Sequence, residues 1–466
     1  MSAGDVELGI ARRWPAGDVE LLPAPLGLAS PPSKPASATG GDLEPAAGLE
    51  GPRTLSSFGA GAALLKSMVG SGVLALPWAL SRFGLLAGLL GLAVLAIVNV
   101  VAIRLLIACR VRIHEQSAEQ KGAEADNLLR AEVGRGDGAL ELSPYEAVAQ
   151  SVVGTQFARV TTFALIAAQL GVVTVYVVVI AATTQAVLPW VPRAMIIAAM
   201  WLWLSGCGFM RGLSEVAWLA VAGLCCYMTV VVGLLHYGVP CIAERSLADL
   251  SLFVPAGFGW WYGVSLYSFE GIGTVLPIFE EMKSFDRPER FVSVVNWTYA
   301  AAFVFYFFVG SVGYMAYGEE VEDVILFNFP DSLLTRATAH SMAFMMLFSS
   351  VVQLYPLQHL ADQRYAALAM RPVSTFSLLE KCVLRGLVAL LPACVASVAP
   401  SVSTIVDLVG ASCFSFLGVV APAVMYLSLF RTELDPVARV ALYCLGAFGL
   451  VGGVLGTLTP LVMARR

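Results

Sequence analysis

Apolar residues in this chain neither alternate nor recur on a single helical face; they continue in long runs. Eleven such stretches, near 58–80, 84–109, 158–188, 192–210, 214–237, 258–280, 291–317, 333–357, 379–399, 402–430 and 437–462, carry very little charge. About 20 apolar residues in a helix cross the hydrocarbon of a bilayer. The pattern therefore predicts an all-α integral membrane protein with eleven transmembrane helices, occupying 56–466. Residues 1–55 are rich in Pro, Gly, Ala and acids with no continuous apolar run. They read as a disordered cytosolic tail, with insertion beginning at the first span. The longest polar interruption, 110–156, reads as a cytosolic loop that closes with an amphipathic piece around Pro144–Gln150.

Two of the eleven runs are interrupted in the same way. The first reads Lys66-Ser-Met-Val-Gly70-Ser-Gly72-Val-Leu-Ala-Leu-Pro77, the second Phe269-Glu270-Gly271-Ile-Gly273-Thr-Val-Leu-Pro277. Each has an ionisable side chain, then Gly-x-Gly, then an apolar run ending in Leu-Pro. Gly and Pro weaken helices, and hydrocarbon penalises backbone groups left unpaired. Eleven divides as five, five and one, which makes these runs the first spans of two halves. Paired broken helices at corresponding places mark the substrate site of an inverted-repeat transporter. The expected architecture is LeuT-like: a 5+5 inverted repeat plus one helix, with spans 1 and 6 broken.

Composition sharpens this picture. The 466 residues are 58% hydrophobic and 13% charged, against about 25% charged in soluble domains. No basic domain is present, which argues against a nucleic-acid partner. The nine cysteines fall mostly within apolar runs, with no CxxC pattern, and read as small apolar fillers. Most Lys and Arg fall on one side of the bilayer if the amino terminus is cytosolic, so the positive-inside bias sets that orientation.

The candidate site follows from what a zwitterion needs. The amides of Ser71, Gly72 and Val73 would open the second half of span 1, and free N–H groups at a helix start suit a carboxylate. Carbonyls near Met68, Val69 and Gly70, and near Tyr267, Ser268 and Phe269, suit an ammonium. Gly271 and Gly273 let the second backbone approach. Glu270 is the proton-coupling candidate, because an intramembrane carboxylate is costly unless it is paired, hydrated or able to take a proton. Lys66 and Asp407 are assigned gating or structural roles. A structural ion pair between Lys66 and Glu270, and a helix-end cap at Asp407, are the alternatives. Trp190, Trp260 and Trp261 read as interfacial belt residues.

Three stretches carry a resemblance: Leu65–Pro77, Tyr267–Ile278 and Gly313-Tyr-Met-Ala-Tyr-Gly318 with its acidic follow-on; Gln353-Leu-Tyr-Pro-Leu357 is a weaker fourth. At these residues the chain resembles the amino acid/auxin permease family, in particular its proton-coupled lysosomal and vacuolar neutral amino-acid transporters. Gly70-Ser71-Gly72 stands where many relatives have Gly-Thr-Gly, which keeps the hydroxyl. The resemblance implies eleven spans and movement of amino acids coupled to protons, with sodium as the alternative ion and no cofactor. It favours a vacuolar or lysosome-like membrane, with the plasma membrane as the alternative. Glu124-Ala-Asp-Asn-Leu-Leu129 fits an acidic dileucine sorting signal and leans the same way.

The expected function is secondary active transport of neutral amino acids by alternating access. The expected partners are a small amino acid and the lipid bilayer; the sequence names no protein partner. Rival readings are an amino-acid sensor signalling through the tail, or auxin-like or polyamine cargo. An enzyme is disfavoured: the spans hold scattered reactive side chains, not a converging set, and no HExxH, Walker A or nucleophile-elbow motif stands out.

Overall fold

A computed structural model describes residues 55–119, 143–207, 218–246, 250–282, 287–371, 373–399 and 401–463. The tail before Leu55, the stretch Glu124–Leu129 and the middle of the 110–156 loop lie outside the described residues.

Sixteen α-helices follow in order: α1 (Ser57–Met68), α2 (Gly72–Phe83), α3 (Leu85–Glu119), α4 (Pro144–Val152), α5 (Thr155–Val187), α6 (Arg193–Cys207), α7 (Trp218–Gly233), α8 (Val239–Glu244), α9 (Phe258–Ser268), α10 (Ile272–Glu281), α11 (Pro288–Tyr317), α12 (Leu333–Ala369), α13 (Leu378–Val398), α14 (Val402–Val409), α15 (Ala421–Leu429) and α16 (Pro436–Met463). Leu234–Gly238 joins α7 to α8 as a π-helix. Two further π-helices, Gly410–Phe414 and Phe416–Val420, lie between α14 and α15. No β-strand occurs among the described residues.

Among the described residues, eight helical stretches are long and apolar enough to cross a membrane, and α1 with α2 makes a ninth if the pair is one crossing bent by 54°. Helix occupies all eleven apolar segments read from the sequence, α9 and α10 sharing one of them. Two polar pieces are also helical: 110–119 prolongs α3, and Pro144–Val152 forms α4 with Ser143 Oγ capping the Glu146 amide at 3.2 Å.

Burial separates the inner helices from the outer ones. The apolar window of Val402–Leu429 is 67% buried, whereas those of α13 and α16 are 22% buried. Leu86, Leu90, Val94 and Ile97 are all exposed and share one face of α3. Exposed apolar stripes of that kind on outer helices fit hydrocarbon as the solvent. At the centre, α2 is buried along nearly its whole length and packs on α9 and α11, while α1 packs on α10 and α11. α2 stops at Gly84, whose φ of 100° favours glycine.

The two ends of the bundle are tied differently. At one, Arg110 bonds Glu280 at 2.8 Å, Arg112 bonds Glu433 at 2.9 Å, and Arg385 lies 3.5 Å from Asp362. There too the Leu55 amide bonds the Glu281 carbonyl at 3.2 Å, joining the chain before α1 to the end of α10. At the other end, Asp323 Oδ2 accepts from the amides of Val402 and Ser403 at 2.9 and 3.3 Å, closing the start of α14. Trp190 is exposed, as a belt residue would be, but Trp261 is not a belt residue. It is 2% exposed and packed against Phe83, since an indole on an inward face buries more apolar area there than at an interface.

Candidate functional site

The two Gly-x-Gly motifs fall where helices stop. α1 ends at Met68 and α2 starts at Gly72; α9 ends at Ser268 and α10 starts at Gly271's neighbour Ile272. Met68, Val69, Ser71, Gly72 and Val73 are buried, as are Tyr267, Ser268, Phe269, Glu270 and Gly271; Gly70 and Gly273 are partly exposed.

The breaks lie against each other. A Cβ on Gly72 would sit 2.7 Å from Ser268 Oγ and 2.9 Å from Ser268 Cα, so only glycine allows this approach. Ser71 Oγ and Tyr267 OH share a hydrogen bond of 3.1 Å across the gap. Thr274 Oγ1 donates to Ser67 Oγ at 3.0 Å.

The backbone groups released by the breaks are partly used. Tyr306 OH reaches both segments, 2.9 Å from the Met68 carbonyl and 2.7 Å from that of Ser268. Tyr299 OH donates to the Phe269 carbonyl at 3.3 Å. The Val73 amide makes a long bond of 3.4 Å to the Gly70 carbonyl, and the Leu74 amide bonds Ser71 O at 3.2 Å. A carbonyl accepts two hydrogen bonds, so one lone pair remains on each of these oxygens. Gly72 opens a helix, where N–H groups lack an intrahelical partner.

Lys66 and Glu270 feel each other's charge but do not form a direct ion pair. Lys66 Nζ donates instead to Ser349 Oγ on α12 at 2.9 Å. Glu270, 9% exposed, sits among phenols: Tyr176 on α5, Tyr267 on α9, and Tyr299 and Tyr306 on α11 all lie within reach of its charge. Phe269 is packed edge-on against Tyr306 with ring centroids 5.0 Å apart, and stacks on Tyr299 at 6.0 Å. Asp407 is buried in the last turn of α14, and its carbonyl accepts the Gly410 amide.

The arrangement can hold a small zwitterion between two backbone edges, one rich in amides and one in carbonyls, beside a carboxyl and an ammonium. Sequence reasoning named Tyr267 but missed Tyr176, Tyr299, Tyr306 and Ser349. Tyr299 and Tyr306, seven apart, share a helical face, and that spacing was the available signal.

The descriptive model of the transmembrane amino acid transporter proteins matches residues 53–459. Amino acid transporter AVT3A of Arabidopsis thaliana is 26% identical over 428 residues, covering 88% of this chain and 91% of the relative. Vacuolar amino acid transporter 3 of Schizosaccharomyces pombe is 25% identical over 329 residues, 68% of this chain and 44% of that protein. Among solved structures, a nucleobase-cation-symport-1 family transporter, MHP1, in a closed conformation with bromovinylhydantoin bound, superposes with a TM-score of 0.51. It is 11% identical and covers 88% of this chain and 91% of its own, a likeness of fold. The match across nearly the whole helical bundle makes this chain a member of the transmembrane amino acid transporter family.

Proposed function

We propose that the protein is a secondary transporter that moves neutral amino acids across a vacuolar or lysosome-like membrane, coupled to protons, by alternating access. In this reading eleven helices cross the bilayer with the amino terminus in the cytosol, α1 and α2 forming the first span and α9 and α10 the sixth. The carrying observation is the pair of helix breaks meeting in the buried centre at Gly72 and Ser268, beside Glu270. Irregular backbone at membrane depth is tolerated only where protein or a water-filled cavity surrounds it.

The substrate carboxylate lies at the start of α2, against Ser71 and Gly72. The ammonium faces the carbonyls at the end of α1 and of α9. Glu270 takes a proton from the acidic side and gives it up on the other, with Lys66 adjusting the balance of charge. Moving α1–α2 and α9–α10 together against the remaining helices exposes the site alternately. The tie between Arg110 of α3 and Glu280 of α10 crosses between the moving and the fixed helices and opens in one state.

The experiment is uptake by purified protein in proteoliposomes, with a panel of labelled amino acids under an imposed pH gradient, repeated under a sodium gradient. Accumulation driven by the pH gradient alone supports the reading. Saturable binding without flux would refute transport, and accumulation driven only by sodium would refute proton coupling.

A further inference from the structure

Asp407 is a fully buried carboxyl that the proposed cycle leaves idle. Its side chain has no exposure at all, and neither oxygen has a hydrogen-bond partner. The residue sits in the seam between α14 and α9. A Cβ added to Gly263 of α9 would overlap Asp407 Oδ1, and one added to Gly410 would overlap the Gly263 carbonyl. The two backbones therefore cross in contact at Gly263 and Gly410, with the carboxyl flat against the crossing.

The neighbours supply no counter-charge. The titratable groups on the packed elements are Tyr262 and Tyr267 on α9, Tyr176 on α5 with Arg159 at its far end, Cys413 on the π-helix, Arg439, Tyr443 and Cys444 on α16, and Arg82 on α2. The Tyr262 hydroxyl bonds Ser415 at 2.7 Å and that of Tyr267 bonds Ser71. Arg82 lies over the Trp78 ring, and Arg439 is bound to the carbonyls of Arg431 and Leu434. Among the described residues, none of these groups makes a hydrogen bond to either oxygen of Asp407. An ionised carboxylate in that position would forgo its hydration with nothing in return, a cost of several kcal/mol in order of magnitude.

The seam is also built to part. Immediately after α14 the chain passes through two π-helices, Gly410–Phe414 and Phe416–Val420, before α15 begins. Such wide turns loosen the regular ladder and are frequent at functional sites. The other end of α14 is held by Asp323 from a loop. α14 is thus a short helix between an end capped by Asp323 and a stretch of π-helix.

We propose that Asp407 is a second proton-binding group, separate from Glu270, that holds its proton while α14 is packed on α9 and releases it when that seam opens to water. On opening, the O–H bond breaks, the proton passes to an entering water, and the carboxylate is left hydrated. On closing, a proton is taken up again. This rests on the transporter reading for the motion that opens the seam, while the closed-state proton is a property of the fold alone.

The test separates the two. Infrared difference spectra of the full-length protein in liposomes, in a Glu270→Gln background, read protonated carboxyl directly. A protonated, unbonded C=O band present at neutral pH and lost in Asp407→Asn is the expected result; an unchanged band in Asp407→Asn overturns the proposal. If Asp407→Asn does not fold, carbon-13 labelling of the aspartates in the Glu270→Gln protein serves, since it perturbs no packing. The band then moves to lower frequency; a band indifferent to aspartate labelling overturns the proposal. Substrate exchange without a gradient, in otherwise wild-type protein, should lose one step of its pH profile in Asp407→Asn, and an unaltered profile contradicts the coupling. Wild-type vesicles that show the band but no uptake would remove the transporter reading, and with it the coupling, but not the bound proton.

Discussion

The two glycines of the first motif do unequal work, and that inequality is measurable. Gly72→Ala places a methyl 2.7 Å from Ser268 Oγ, 2.8 Å from Tyr267 Cδ1 and 2.9 Å from Ser268 Cα. Oγ can rotate away, but Ser268 Cα is backbone at the end of α9. To restore an ordinary contact of 3.4 Å from 2.9 Å, α9 must retreat by about 0.5 Å. Overpacking of this kind costs about 1–3 kcal/mol. The shift also lengthens the Ser71–Tyr267 bond, already 3.1 Å. Gly70→Ala meets nothing nearer than Tyr176 OH at 3.6 Å, and Gly273→Ala nothing nearer than Leu165 at 3.7 Å. The expected result is a lower melting temperature for Gly72→Ala in detergent and a fall in substrate affinity of about 5–150-fold, the range that 1–3 kcal/mol spans. Gly70→Ala and Gly273→Ala should melt with the wild type. The assay is thermal unfolding followed by tryptophan fluorescence, with equilibrium binding on the same samples. Gly72→Ala melting and binding like wild type would refute the close approach of the two breaks.

Glu270→Gln should abolish accumulation under a pH gradient while leaving counter-exchange; with one proton per substrate, a gradient of one pH unit supports about tenfold accumulation in the wild type, and uphill uptake surviving in the variant would remove Glu270 from coupling. Tyr306→Phe leaves the Met68 and Ser268 carbonyls without their shared donor, so it should cost about 1–3 kcal/mol in unfolding measurements, and neutrality would show that water replaces the phenol. Lys66→Met removes the bond to Ser349 and the charge facing Glu270; the pH profile of exchange should move, which a purely structural lysine would not cause. Asp323→Ala unties the start of α14, so exchange of the Val402 and Ser403 amides with deuterium should speed up, and unchanged protection would place the cap elsewhere.

Much of this site was legible in the chain because helix breakers are rare in apolar runs. Gly70, Gly72, Gly271 and Gly273 announced the interruptions, and the ends at Met68 and Ser268 lie beside them. Glu270 stood out because a carboxyl inside an apolar segment is costly unless it is paired, hydrated or able to take a proton. Apart from Tyr267, the tyrosines did not stand out. An aromatic in a span serves equally for lipid contact, packing or hydrogen bonding, and only the fold shows that Tyr306 bridges two broken backbones. Trp261 was misplaced for the same reason, its ring lying against Phe83. The partner of Lys66 was equally hidden: Ser349 lies 283 positions away, and a single serine in α12 carries no signal of its own. The length of α3 was underread because apolarity ends before the helix does; Arg110 and Arg112 lie on its polar continuation, paired with Glu280 and Glu433.

In the proposed cycle the amino acid sits where the two helical rods are interrupted. Electron cryo-microscopy of the protein in lipid nanodiscs, with and without a saturating neutral amino acid, tests it most directly. The expected result is ligand density touching Ser71 and Gly72 on one side and the end of α9 on the other. Ligand density elsewhere, or helices running unbroken through 69–71 and 269–271, would contradict it.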